Sequence, residues 1–179
     1  MKQYFKFRPI SESMTKISNK VFGNRSYRRM LLDEDLERSR EFMGGIVLDV
    51  GGKARGKSGR FRPLASDRPR WIYLNINERT RPDVVGDAAF LPFRVKSFDS
   101  VVCIEVLEHC EYPQKTVDEI YRVLGKGGHV IISVPFICPI HADPFDFNRF
   151  TDWKLRSMLK EFHIIMLKNR ATILPYWLT

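Results

Sequence analysis

Hydrophobic residues run along the chain in short blocks that glycine, proline or charged segments separate. The clearest block is Ile46–Val50, where apolar residues surround Asp49 and two glycines follow at once. A short apolar run that stops at glycine predicts a strand buried on both faces, as in a parallel sheet. Blocks of similar character predict further strands over residues 71–76, 83–87, 98–106, 129–135, 163–168 and 173–178.

Apolar residues at helical spacing occupy the segments between several of these strands. Ser26 is a suitable cap for a first helix that Gly44 and Gly45 end. Pro113 opens a second helix, which the glycines at 125–128 stop, and Thr151 caps a third that runs to about Phe162. Alternating strands and helices predict an α/β fold: a doubly wound, mostly parallel Rossmann-like sheet of six or seven strands, abbreviated at its carboxyl-terminal edge.

The net charge of +9 is concentrated in two places. Residues 1–30 carry eight Lys or Arg against Glu12, and residues 53–70 carry seven against Asp67, so the rest of the chain is mildly acidic. We therefore predict a basic N-terminal arm over 1–25 and a single domain over 26–179. The basic segments are either solvated surface or a surface that attracts an anionic partner, such as a phosphorylated metabolite, nucleic acid or anionic lipid.

The cysteines and the apolar runs indicate the compartment. The three cysteines form no CxxC pair, which fits a reducing cytoplasm and argues against a structural zinc site. No apolar run reaches the ~18 residues of a membrane span, and the N-terminus lacks the apolar region of a secretory signal. We expect a cytoplasmic protein without a transmembrane segment.

Six short motifs follow one another in a characteristic order. They are Val47–Gly51, Asp83–Ala88 leading to Leu91–Phe93, Ser97–Asp99, Glu105–His109 with Pro113, Glu119–Leu124 with Gly127 and Gly128, and Ser133–Phe136. Together they resemble the class I S-adenosylmethionine-dependent methyltransferases of the small type 11 kind. The resemblance implies an enzyme that uses S-adenosylmethionine, releases S-adenosylhomocysteine and methylates a small polar acceptor. The stretch His141–Thr151 resembles a subgroup often associated with sugar and surface-polysaccharide pathways.

The resemblance also implies which residues bind the cofactor. Asp49, Gly51 and Gly52 would meet its amino-acid end, where the backbone must come close to an ammonium and a carboxylate. Asp87 would bind the adenine amino group, with the Ala88 backbone alongside. Glu105 would lie against the reactive end of the cofactor.

Two positions depart from the family pattern. Asn75 stands where the family has an acid that accepts hydrogen bonds from the ribose, and an amide accepts more weakly than a carboxylate. Cofactor affinity is then reduced, or Glu78 substitutes. Lys53 or Arg55 replaces a further glycine, so Lys53, Arg55 or Lys57 could pair with the cofactor carboxylate or an acidic acceptor.

Several titratable residues gather after the fourth and fifth strands. His109, His141 and Asp143 are the candidate catalytic residues, because a histidine near its ordinary pKa, oriented by a carboxylate, can deprotonate a hydroxyl. Asp146 and Arg149 are candidates for acceptor binding, although Arg149 could instead pair with Asp146. One histidine and two aspartates are too generic a set to favour a metal.

Two other functions stay open at this stage. The basic arm and the 53–70 segment could belong to a nucleic-acid-binding protein or an RNA methyltransferase, although no recognisable RNA-binding module accompanies them. The altered glycine loop and Asn75 could instead indicate a methyltransferase-like partner without activity.

Overall fold

Five parallel strands form the sheet of this protein, in a computed structural model that describes residues 27–53, 61, 70–136, 139–141 and 145–168. The strands are β1 (Ile46–Val50), β2 (Arg70–Asn75), β3 (Val84–Val85), β4 (Phe98–Ile104) and β5 (Leu124–Ser133). Their order is β3-β2-β1-β4-β5, and every neighbouring pair is parallel. This order confirms the predicted doubly wound, Rossmann-like sheet in an abbreviated form.

The central strand β1 sets the register of the sheet. Val50 at its end lies opposite Leu74 in β2 and Cys103 in β4. Since all three strands run the same way, the segments that follow them leave from one edge of the sheet. Ligands bind at this edge in open α/β sheets, where the strand order reverses.

Within the described residues, three helices accompany the sheet: α1 (Tyr27–Arg38), α2 (Pro113–Val123) and α3 (Asp152–Met158). Pro113 begins α2 as predicted, since its missing N–H is not needed in the first turn. Thr151 caps α3, its hydroxyl accepting from the Lys154 N–H at 3.2 Å. That helix ends four residues before the predicted Phe162.

The helix α2 ends without help from the glycines at 125–128, because β5 already begins at Leu124. A Cβ on Gly125 would lie 3.1 Å from the Phe98 carbonyl oxygen, and one on Gly128 would lie 2.7 Å from that of Asp99. These glycines therefore serve the close approach of β5 to β4.

Apolar layers cover both faces of the sheet. On one face, side chains of β1, β2 and β4 pack against α2 and α3; this layer contains Leu48, Val50, Leu74, Val101, Cys103, Val117, Ile120, Val123 and Met158. On the other face, the layer includes Leu36 of α1 together with Met43, Val47, Phe61 and Val102. Alternate residues of β1 and β4 thus enter opposite layers, which explains their nearly unbroken apolar runs.

The strand predicted over 163–168 is wrong, because the chain there is irregular. Ile165 and Met166 are 66% and 65% exposed, so this apolar run is not buried against the sheet. The predicted strand over 173–178, the cap at Ser26 and the arm over 1–25 lie outside the described residues. Among the helices that the structure describes, none has the length and apolar character needed to cross a membrane.

Candidate active site

The turn after β1 brings two glycines into close contact with neighbouring side chains. Gly51 has a φ of +73°, and a Cβ there would lie 2.4 Å from the Cγ2 atom of Val106. A Cβ on Gly52 would lie 2.4 Å from the carboxyl carbon of Asp49. The turn thus fits tightly between the end of β1 and the segment after β4, and only glycine is accommodated at both positions.

Asn75, at the end of β2, holds this turn. Its side-chain amide donates to the carbonyl oxygens of Gly51 at 2.8 Å and Gly52 at 3.2 Å. Its Oδ1 accepts from the Asn77 N–H at 2.9 Å, and the residue is buried. A carboxylate cannot donate to two carbonyls, so the amide that departs from the family pattern has a structural reason here. Glu78, the alternative ribose ligand, lies in the exposed 3-10 turn Glu78–Thr80.

Asp87 follows β3 at the same edge of the sheet. The Gly86 N–H donates to the Asn75 carbonyl oxygen at 3.1 Å, so Asp87 lies one residue from a direct contact with β2. Its Oδ1 accepts from the Ala89 N–H at 2.8 Å, which forms a local turn. The ends of β1, β2 and β3 therefore bring Gly51, Asn75 and Asp87 into one neighbourhood.

The ion pair of Glu119 with Arg122 on α2 holds the segment that follows the Asp87 turn. Arg122 donates to the carbonyl oxygens of Leu91 at 2.9 Å and Phe93 at 2.8 Å. Glu119 accepts from Arg122 at 2.6 and 2.7 Å and from the Leu91 N–H at 2.8 Å. The hydrogen bonds from Arg122 lower the pKa of the Glu119 carboxyl.

Glu105 stands at the end of β4 with a φ of +58°, in the left-handed region that non-glycine residues seldom occupy. One oxygen of its carboxylate pairs with the guanidinium of Arg28 from α1, and the other accepts from the Ser133 hydroxyl at 3.1 Å. Its N–H donates to the Ser133 carbonyl oxygen at 3.0 Å. Neither Arg28 nor Ser133 was predicted as a partner of this residue.

A buried acid and two histidines meet after β4. Glu108 is fully buried, and neither of its carboxylate oxygens has a hydrogen-bond partner among the described residues. Burial raises the pKa of this carboxyl to about 7. The Nε2 atom of His109 lies 3.8 Å from Oε1 of Glu108, and the rings of His109 and His141 cross nearly at right angles with centroids 5.1 Å apart.

Both histidines are predicted from the sequence as catalytic residues, but Glu108 is not. Glu108 lies within the motif Glu105–His109, but the sequence does not show that its side chain is buried. The structure thus brings His109 and His141 together from segments more than thirty residues apart. Asp143, the third predicted catalytic residue, lies outside the described residues.

Asp146 organises the segment that follows β5. Its carboxylate accepts from Arg149 at 2.5 and 2.7 Å and from the His141 N–H at 2.9 Å. These hydrogen bonds, led by the guanidinium of Arg149, hold the pKa of the Asp146 carboxyl well below its usual range. Arg149 thus takes the alternative that the sequence left open, a pair with Asp146.

Backbone hydrogen bonds join the two segments. The N–H groups of Phe147 and Asn148 donate to the Glu108 carbonyl oxygen at 2.8 and 3.1 Å. The Asn148 side chain donates to the Cys110 carbonyl oxygen at 2.7 Å, and Phe150 is buried in the core. The segments after β4 and β5 therefore form one connected rim.

Comparisons with known proteins agree with this geometry. The model of a family described as a methyltransferase domain matches residues 69–132. A tRNA (carboxymethyluridine(34)-5-O)-methyltransferase, alkbh8, from Xenopus tropicalis is 33% identical over 97 residues, covering 51% of this chain and 15% of its own length. A demethylmenaquinone methyltransferase from Paenarthrobacter aurescens is 33% identical over 88 residues, covering 48% of this chain and 34% of its own length. The chain thus spans about a third or less of these two relatives.

Solved structures share the fold. A SAM-dependent methyltransferase from Archaeoglobus fulgidus superposes with a TM-score of 0.59 at 19% identity, covering 84% of this chain and 73% of that one. The matched methyltransferase domain over residues 69–132, the strand order and the glycine turn at the end of β1 are features that this chain shares with class I S-adenosylmethionine-dependent methyltransferases. The family resemblance drawn from the sequence motifs is confirmed.

Proposed function

We propose that this protein transfers a methyl group from S-adenosylmethionine to a small polar acceptor. The observation that carries the proposal is the meeting of Gly51, Asn75 and the Asp87 turn at one edge of the sheet, in a chain whose residues 69–132 match a methyltransferase domain. The carboxyl edge of an open α/β sheet, where the strand order reverses, is where such folds bind nucleosides.

In this proposal the cofactor lies along the ends of β1 to β4. Asp49, Gly51 and Gly52 contact its amino-acid end, and Glu105 contacts its reactive end. The Asn75 region, with Glu78, faces the ribose, and Asp87 with the Ala88 backbone binds the adenine. The hydrogen bonds that fix the glycine turn support this placement, because they present a preformed backbone to the ligand.

The chemical step needs little beyond positioning, since the methyl group on a sulfonium is already activated. An acceptor oxygen forms a bond to the methyl carbon, the sulfur–methyl bond breaks, and its electron pair stays on sulfur to give S-adenosylhomocysteine. In-line positioning can supply much of the rate. His109 or His141, aided by Asp143, takes up the proton of an acceptor hydroxyl.

The acceptor class is supported by two sequence features. The stretch 141–151 resembles a subgroup linked to sugar and polysaccharide pathways, and the basic segments over 1–30 and 53–70 favour an acceptor that carries phosphate or carboxylate. We therefore infer a sugar or another hydroxyl- or carboxyl-bearing metabolite, bound near Asp146 and Arg149. The tRNA methyltransferase among the relatives keeps RNA as the alternative acceptor.

Titration calorimetry with S-adenosylmethionine and S-adenosylhomocysteine tests the cofactor site. We expect both nucleosides to bind, and Asp87→Ala to weaken binding about tenfold or more, because a charge-assisted hydrogen bond contributes about 1.5–3 kcal/mol. Glu34→Ala, which removes an exposed acid on α1, should bind like the wild type. A folded protein that gives no heat with either nucleoside would support the inactive-partner alternative instead.

The acceptor is tested with methyl-labelled S-adenosylmethionine and an extract separated into small polar molecules, lipids and RNA. Label in the polar fraction supports the proposed acceptor class. Label in the RNA fraction supports the alternative, and RNA binding would then weaken steeply as salt rises. Label confined to the lipid fraction contradicts both.

A further inference from the structure

We propose that Glu108, His109 and His141 form a binding site for a divalent transition-metal ion, with Zn²⁺ as the probe. Each residue offers one ligand atom, and these three atoms lie within 4.8 Å of one another. In the sequence, His141 with Asp143 and Asp146 is too generic a set to favour a metal. The structure assembles a different set, which joins the segments after β4 and β5.

The spacing of the ligand atoms is close to that of an ion site. An ion bound at about 2.0–2.1 Å from each ligand in tetrahedral geometry places the ligand atoms roughly 3.4 Å apart. The Nε2 atom of His109 and Oε1 of Glu108 are separated by 3.8 Å. The three ligand atoms, which lie within 4.8 Å of one another, would have to approach by up to about 1.4 Å to bind one ion.

The second nitrogen of each histidine is held as metal-binding histidines usually are. His109 Nδ1 contacts the Phe145 carbonyl oxygen, and His141 Nδ1 lies 3.2 Å from the Pro139 carbonyl oxygen and 3.5 Å from Oδ2 of Asp146. A proton on Nδ1 directed at these oxygens puts the lone pair of a neutral imidazole on Nε2. Such outer contacts fix the orientation of metal-ligating imidazoles.

Glu108 provides an independent indication of a ligand. It is fully buried, and neither carboxylate oxygen has a hydrogen-bond partner among the residues that the structure describes. Burying a carboxylate without a partner is costly, and buried charges are normally paired or coordinate a metal. A divalent ion between Glu108 and the two imidazoles would supply the missing partner.

The chemistry of the ligand set indicates the kind of ion. Two imidazole nitrogens and one carboxylate suit zinc or ferrous iron and leave coordination positions open, whereas Mg²⁺ and Ca²⁺ prefer oxygen ligands alone. If the proposed function is correct, the open positions face the acceptor. With the ion bound, the imidazoles act as ligands and the proton of the acceptor hydroxyl passes to water, so the base role proposed above for His109 or His141 belongs to the metal-free chain. Metal binding itself does not depend on that function.

The test is a titration of the metal-free full chain with Zn²⁺ in competition with a chromophoric chelator of known affinity. We expect one Zn²⁺ per chain, with binding at least tenfold weaker in each of the variants Glu108→Gln, His109→Ala and His141→Ala. His163→Ala removes an exposed histidine outside the cluster and should leave the affinity unchanged. Urea unfolding of each variant shows whether the fold is intact.

Two outcomes would overturn the metal site. One is a wild-type chain that takes up no Zn²⁺ in competition with the chelator. The other is that all three cluster variants bind Zn²⁺ with the affinity of the wild type, which would mean that the ion binds elsewhere. Either result leaves the nucleoside titration untouched, so failure of the metal site is distinguishable from failure of the proposed methyl transfer.

Discussion

The carboxyl edge of the sheet has two halves that are built differently, named the cofactor half and the acceptor half after the roles proposed for them above. In the cofactor half, formed by the ends of β1, β2 and β3, backbone carbonyls are held by the neutral amide of Asn75. In the acceptor half, formed by the segments after β4 and β5, charged side chains meet and Glu108 is left buried without a hydrogen-bond partner among the described residues. Among the described residues, the amide of Asn75 has hydrogen-bond partners on both of its polar atoms, whereas the buried carboxylate of Glu108 has none.

This difference indicates how each half meets its ligand. Backbone groups fixed by hydrogen bonds change little on binding, so the cofactor half is suited to a constant ligand. The acceptor half depends on ion pairs such as that of Asp146 with Arg149, and its properties vary with protonation and with bound ions. Substitutions should therefore affect the two halves separately.

The largest expected effect lies at the glycine turn of the cofactor half. Gly51→Ala should lower the free energy of unfolding by about 2–4 kcal/mol, because a φ of +73° and contact with Val106 both oppose a Cβ. Urea unfolding measures this change. Gly44→Ala is the matched control, since no atom lies within 4 Å of its Cβ position. Equal stability of the two variants would contradict the proposed rigidity of the turn.

Asn75→Asp should have the next largest effect. The carboxylate cannot donate, so the carbonyl oxygens of Gly51 and Gly52 lose their donor, and we expect a loss of about 1–3 kcal/mol in unfolding free energy. Asn77→Asp is the matched control, since it adds the same charge nearby and keeps the side-chain oxygen that accepts from the Arg79 N–H. Its unfolding free energy should change little. A variant that is fully stable and binds S-adenosylmethionine more tightly would show that the family's acid works here and that the amide is not needed.

The cofactor half could be predicted from the sequence largely because its signals are local. The apolar run Ile46–Val50 and the glycines after it lie within seven residues. Similar apolar runs predict the succession of most of the other strands along the chain. The role of Asn75 was missed, since the two carbonyl oxygens to which it donates lie more than twenty residues away in the chain. The sequence indicated only that the residue departs from the family pattern.

The acceptor half was predicted only in part. His109 and His141 were identified as candidates, but the burial of Glu108 depends on the segment that contains Phe147 and Asn148, almost forty residues later. The strand predicted over the exposed run at 163–168 was wrong for a similar reason. An apolar pattern alone does not show whether a sheet edge lies beside the segment. Long-range packing decides both cases, and a single sequence carries little information about it.

A smaller effect is expected in the acceptor half from Asn148→Ala. This change removes the hydrogen bond to the Cys110 carbonyl oxygen, so the unfolding free energy should fall by about 1 kcal/mol. The affinity for S-adenosylmethionine should stay within about twofold of the wild type, because the cofactor half is not touched. A large loss of nucleoside affinity, measured by calorimetry, would show that the two halves are coupled.

The smallest effect is a pH dependence of stability, which arises from the ion pair of Glu119 with Arg122 on α2. The pKa of Glu119 lies below its ordinary value of 4.5 because Arg122 donates to its carboxylate. Its contribution to stability is therefore present above pH 4.5 and is lost as the pH falls through the lowered pKa. The stability difference between the wild type and Glu119→Gln should be larger at pH 7 than near pH 3, as measured by urea unfolding. A stability difference for Glu119→Gln that grows on acidification would reverse the inferred role of the ion pair.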